Sequence, residues 1–120
     1  MFNKTIWAIT LWFALALTNI AFAHSAVVFS SPANNSQLSE APDAIHLEFN
    51  EDVRLLALEL SGMEQGDVVI DFQRDRQAKD VFHINLPDLA DDIYTITWTL
   101  IGADGHRVSG DIVFTLSSAG

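Results

Sequence analysis

Four residues of this 120-residue chain have types and positions suited to holding a metal ion: His24, Glu51, Asp104 and His106. His24 directly follows Ala21-Phe22-Ala23, which has small residues at the two positions a signal peptidase reads. Cleavage after Ala23 would make His24 the first residue. A terminal histidine offers two nitrogens, its free α-amine and its imidazole Nδ1, which close a six-membered ring on one ion. That bite suits Cu(II), which favours tetragonal nitrogen and oxygen donors and stands at the top of the Irving–Williams order. In Asp104-Gly105-His106 an acid and a histidine two positions apart can present a carboxylate oxygen and an imidazole nitrogen to one side of the chain. The same tripeptide also reads as a plain turn between two strands. Glu51, in Phe49-Asn50-Glu51, reads either as a solvated loop acid at a strand end or as a residue of the same rim.

Composition narrows the chemistry. Asp and Glu number 16 against 6 Lys and Arg, for a formal net charge of -10. A nucleic-acid partner is excluded on that charge, because binding phosphates needs a basic surface, and cations are the expected ligands. With no Cys, the chain has no disulfides, thiol nucleophile or thiolate metal site. Any metal must be held by nitrogen, oxygen or thioether donors.

The elements that would position these residues begin after residue 23. Met1 to Ile9 carries one charge, Lys4, and Ile6 to Leu17 is almost wholly apolar. That run is short of the roughly 20 residues a membrane-spanning helix needs. Residues 1–23 therefore read as a cleaved signal peptide, with an uncleaved anchor as the competing reading. Residues 24–120 form the mature domain, exported to the periplasm. Its apolar residues alternate with period two. Ile45, Leu47 and Phe49 face one way, as do Phe82, Ile84 and Leu86, then Tyr94, Ile96, Trp98 and Leu100, then Ile112, Phe114 and Leu116. These are half-buried strands. Ser25–Phe29, Leu55–Leu60 and Val68–Phe72 are further strand candidates, and Asp88–Asp92 is a candidate for one helical turn. About seven short strands in one domain predict an all-β, immunoglobulin-like Greek-key sandwich or barrel. Trp98 falls on an apolar face and is expected in the core. His46 and His83 fall opposite the apolar faces of their strands and read as solvated surface residues, not ligands.

The whole mature chain resembles the CopC/PcoC family of periplasmic copper-binding proteins. The matching segments are His24, then Ser30-Ser31-Pro32-Ala33, then Ile45-His46-Leu47-Glu48-Phe49-Asn50-Glu51. Leu89 to Trp98 follows, leading into Ala103-Asp104-Gly105-His106-Arg107-Val108-Ser109-Gly110 and on to Thr115. The resemblance implies a compact Greek-key β domain. It implies one Cu(II) per chain, held by His24 through amine and imidazole, by Asp104 and His106, and in some members by the counterpart of Glu51. It also implies a CopD-like inner-membrane protein as a partner. Two departures stand out. The family's usual Ser in its F-S-E segment is Asn50 here, a minor change. Some members also carry a Met-rich loop for Cu(I), whereas Met63 is the sole methionine after residue 23. A multi-thioether Cu(I) site cannot be built from it, so the Cu(II) half alone is expected.

Three function classes compete on this reading. The first is a monomeric copper carrier or buffer in copper homeostasis or resistance, which is not an enzyme. The second is a copper oxygenase built on the same terminal histidine brace. Against it stand the small domain, the lack of an aromatic substrate platform, and Asp104, which would fill a position that oxygen chemistry needs open. The third, an immunoglobulin-like adhesion or structural module, leaves His24 and the Asp104/His106 pair unexplained. The carrier reading is the one adopted.

Overall fold

The alternation seen around Ile45 and the apolar run around Leu58 belong to one strand of 19 residues. The structure is a computed structural model and describes residues 25–118. The expected signal peptide and His24 lie outside the described residues. Seven strands follow in order: β1 (Val27–Ser31), β2 (Ser36–Leu38), β3 (Ala44–Gly62), β4 (Gly66–Val68), β5 (Lys79–Asn85), β6 (Asp92–Ile101) and β7 (Arg107–Leu116). No helix occurs among the described residues. The all-β sandwich expected from the sequence is present, with β3 as its spine.

β3 serves two sheets. Its first half pairs with β1 on one side and β5 on the other, both antiparallel. Its second half pairs antiparallel with β6 and with short β4. β6 then pairs with β7, and β7 takes β2 as a parallel edge strand. A strand that changes sheet in mid-course makes the corner of a sandwich. The corner is legible in the burial pattern. Ile45, Leu47, Phe49, Val53 and Leu55 point inward at odd positions, and then Leu58 and Leu60 point inward at even ones. The pairing with β6 steps from Leu55↔Leu100 to Ala57↔Thr99, which leaves Leu56 as an extra residue. One inserted residue is what changes the parity of a strand with a side-chain period of two.

The core lies between the two sheets. Phe49 packs edge-on against both Phe82 and Trp98. Tyr94 stacks on Phe114 at 5.2 Å, an aromatic pair that adds about 0.5–1.5 kcal/mol beyond its buried area. Trp98 is core, as expected, and Gly110 opposite it is where a Cβ would strike the indole.

Three expectations about elements need correcting. Ile45–Phe49 and Leu55–Leu60 are not separate strands, because Asn50, Glu51 and Asp52 continue the extended chain between them. The Val68–Phe72 strand stops at Val68, and the chain runs without regular structure from there to β5. Asp88–Asp92 forms no helical turn. Instead, the Asp92 carboxylate accepts backbone N–H groups of Glu64, Gln65 and Ile93, tying the start of β6 to the β3–β4 turn.

Candidate metal centre

Asp104 and His106 sit in the hairpin that joins β6 to β7. The last strand pair is Ile101↔Arg107. Beyond it the Gly102 N–H donates to the His106 carbonyl at 2.9 Å, and the Gly105 N–H donates back to the Gly102 carbonyl at 3.0 Å. Gly105 has φ of +85°. A tight loop of this kind needs one residue in the left-handed region, where a side chain is strained, and glycine fills it. The turn reading of Asp104-Gly105-His106 therefore holds, and the turn swings the acid and the histidine to one side. Asp104 Oδ1 accepts the His106 N–H at 3.0 Å, and its Oδ2 pairs with His106 Nδ1 at 2.9 Å.

That pairing sets the electrostatics. The hydrogen bond that His106 donates to Asp104, and the negative charge of that carboxylate, raise the His106 pKa above its ordinary 6.5. Reciprocally, the side-chain and backbone bonds from His106 hold the Asp104 carboxyl below its ordinary value. Both side chains are open to solvent, at 75% exposed for His106 and 49% for Asp104. The pair is thus polarised and accessible, with neither group committed to the core.

Glu51 reaches the same place from β3. It occupies an odd position, the inward parity of its half of the strand, and is half-buried. Its Oε2 accepts the Ser25 hydroxyl and, at 3.3 Å, the Ala103 N–H. Ser25 is the single buried polar residue among those described. Gly102 is the joint of this arrangement. A Cβ there would stand 3.3 Å from both Asp104 Oδ1 and Glu51 Oε2, and would run into Ser25 Oγ. Three separate parts of the chain thus meet at a residue with no side chain. Asn50 holds the incoming segment as well. Its Oδ1 accepts the Ala26 N–H at 2.9 Å, and its own N–H donates to the Ala26 carbonyl at 3.0 Å.

The structure therefore brings Glu51 and Asp104 to the two sides of Gly102, with His106 paired to Asp104. His24 lies outside the described residues, one peptide bond before Ser25. Among the described residues, no three His, Asp or Glu side chains are gathered around a single point. Sequence reasoning passed over two contributors. Ser25 carried no signal beyond its place after His24, and its role follows from being buried against a carboxylate. Asn50, read as a minor change, makes a side-chain bond to the chain that leads to the site.

Comparison with known proteins places the fold in one class. The family model for the CopC domain matches residues 27–117, and the chain belongs to that family. It is 36% identical over 120 residues to the copper transport protein CutJ of Bacillus subtilis (strain 168), a match that covers 94% of this chain and 22% of that protein. The chain thus spans less than a quarter of CutJ. It is 31% identical over 105 residues to the copper resistance protein C of Xanthomonas campestris pv. juglandis, covering 80% of this chain and 82% of the relative. Among solved structures, CopC from Methylosinus trichosporium OB3b superposes with a TM-score of 0.63 at 26% identity, over 78% of this chain and 94% of that one. PcoC from Escherichia coli, a methionine-rich copper resistance protein, superposes with a TM-score of 0.62 at 24% identity, over 79% and 100%, and shares the fold.

Proposed function

We propose that this chain is an exported copper carrier or buffer that binds one Cu(II) at the rim where Ser25, Glu51, Gly102, Asp104 and His106 meet, and that it is not an enzyme. Membership of the CopC domain family, with relatives named for copper transport and copper resistance, gives it a copper-related function. The finer reading is a cleaved signal peptide over residues 1–23 and a mature domain, 24–120, in the periplasm. There His24 binds the ion through its α-amine and Nδ1, with His106 and Asp104 completing a set of three nitrogens and one oxygen. Such donors suit Cu(II), and a carboxylate favours it over Cu(I). Met63, 77% exposed, is the only thioether after residue 23, in contrast to a relative described as methionine-rich.

The observation that carries this reading is the burial of Ser25 against Glu51 beside the Asp104/His106 turn. It ties the residue after His24 to the loop that bears the other donors. Glu51, whose counterpart is a ligand in some members of the family, acts in this reading as a positioning residue whose Oε2 takes a hydroxyl and an amide. A monomer that passes copper to a CopD-like inner-membrane protein is the matching cellular role.

An N-terminal extension tests the reading. Intact mass of the exported protein should correspond to a chain starting at His24. One residue added before His24 moves the free amine away and leaves every side chain in place. Cu(II) affinity should then fall by at least tenfold, the low end of the loss when a supporting partner is removed from a metal site. Unchanged affinity would remove the terminal chelate from the account.

A further inference from the structure

The outer face of the β1–β3–β5 sheet carries a second group of metal donors. His46 on β3 and His83 on β5 are direct cross-strand partners. Their rings meet edge to face with centroids 6.0 Å apart. Glu48 is the next residue on the same face of β3, and its Oε2 pairs with His46 Nε2 at 2.8 Å. The ring of Phe29, on the other neighbouring strand, packs edge-on against His46 at 5.7 Å. His46 is left 30% exposed and fixed between two partners, while His83 stands open to solvent.

We propose that His46, Glu48 and His83 form a second metal site, for a borderline divalent transition ion such as Zn(II), Cu(II) or Ni(II). The first support is the bite. Two donors at right angles in a tetragonal Cu(II) or Ni(II) site, each about 2.0–2.1 Å from the metal, stand about 2.9 Å from one another, and tetrahedral Zn(II) spreads them to about 3.3 Å. His46 Nε2 and Glu48 Oε2 already have the tetragonal separation, as do His106 Nδ1 and Asp104 Oδ2. A metal ion takes the place of the proton between the imidazole and the carboxylate; a neutral ring then carries its one proton on Nδ1, and an imidazolium gives its second proton to solvent. The second support is the cross-strand register. Two imidazoles on one ion have ring centres at most about 6.4 Å apart, given the same bond lengths, and the 6.0 Å between these rings lies within that reach. The three donors are not gathered in place. His83 is exposed, so a change of rotamer brings its nitrogen in with no movement of the strands. Two imidazoles and a carboxylate are the donors that zinc, copper and nickel accept. The site closes on its ion, so it is weaker than one built beforehand. It stands independently of the terminal site, sharing no residue with it.

Zn(II) alone, added to the His106→Ala protein, tests this with the Asp104/His106 pair disabled. Long-range 1H–15N spectra of the imidazoles should show the His46 and His83 ring nitrogens shifting together and saturating with the same equivalent of zinc. His83→Ala on that background should abolish the His46 shift, and Glu48→Gln should weaken binding by about tenfold. Both are surface changes, and unchanged amide spectra elsewhere confirm the fold. A His46 shift that persists in His83→Ala, or zinc that moves one ring only, would overturn the proposal. Failure of the terminal chelate in the extension experiment would leave these shifts in place, so the two readings fail separately.

Discussion

Two carboxylate–imidazole pairs of nearly equal dimensions lie on this molecule, and they differ in what surrounds them. Asp104 and His106 project from a hairpin turn, their side chains 49% and 75% exposed, and the pairing is the main cause of their pKa shifts. Behind them stand a buried hydroxyl, a half-buried carboxylate and a glycine that leaves room for both. Glu48 and His46 lie flat on a sheet, braced by an aromatic ring on one side and a second imidazole on the other. The first pair has a scaffold that brings in another part of the chain; the second has a neighbour fixed by strand register. A donor pair acquires a role from what is delivered to it. At the turn that is the segment beginning at Ser25, and on the sheet it is His83.

Substitutions should separate the two regions by a wide margin. His106→Ala should lower the affinity for the first equivalent of Cu(II) by more than about 100-fold, the upper end for loss of a mere supporting partner. His83→Ala should change that first affinity less than threefold, because the two sites share no group. Competition titrations with a Cu(II) chelator read both, and equal losses would mean a diffuse His-and-acid surface in place of two defined sites.

Gly102→Ala probes the scaffold behind the turn. Its Cβ would collide with Ser25 Oγ, which sits beneath a carboxylate and cannot simply move outward. Overpacking of this kind costs about 1–3 kcal/mol of stability. Chemical denaturation should show that loss, and Cu(II) affinity should drop by about tenfold or more as the Ser25 segment is displaced. Full retention of copper binding in a folded Gly102→Ala protein would mean that the segment does not need its seat.

Glu51→Ala leaves the buried Ser25 hydroxyl without its acceptor, a penalty of about 1–3 kcal/mol. The same variant should lower Cu(II) affinity by about tenfold, through position and not through a lost donor. Nitrogen and oxygen coordination should be unchanged in its copper spectrum, which is how a positioning residue differs from a ligand.

The smallest effect is electrostatic. In the metal-free protein, a proton NMR titration should place the His106 midpoint above 6.5, and Asp104→Asn should lower it. Because its folded pKa is raised, the stabilisation His106 contributes is complete below about pH 6.5 and is lost as pH rises through the raised value. Asp104 behaves oppositely: its contribution is complete above its ordinary carboxyl pKa and is lost as pH falls through the lowered one. Copper competes with the proton on His106, so binding should weaken as pH falls through that raised midpoint. A His106 midpoint at or below 6.5 would show that the pair does not form in solution.

The sequence makes much of this architecture legible, for physical reasons. Period-two alternation marks β5, β6 and β7 because one face of each is buried, and it correctly puts Trp98, Tyr94 and Phe114 inside. It breaks down within β3. Asn50-Glu51-Asp52 is polar enough to resemble a loop, and the extra residue Leu56 reverses the parity, so one strand reads as two. β2 escapes notice because three residues are too few to show a period, and in Val68–Phe72 only Val68 is paired, with Leu60, while the residues after it only look like a strand. At the rim, Asp104, His106 and Glu51 could be marked from residue type and resemblance. Ser25 could not, since nothing local distinguishes a buried serine from an exposed one. His46 and His83 are 37 positions apart and become neighbours only through the β3–β5 register.

The central claim is that Cu(II) sits at the rim with His106 among its ligands and the amine of His24 beside it. The most direct test is an EPR spectrum of the exported protein with one equivalent of Cu(II), recorded beside those of the His106→Ala protein and of a chain extended by one residue before His24. The account predicts a tetragonal signal with three nitrogens and one oxygen, which loses nitrogen coupling in each variant. A spectrum that is the same in all three proteins would contradict it.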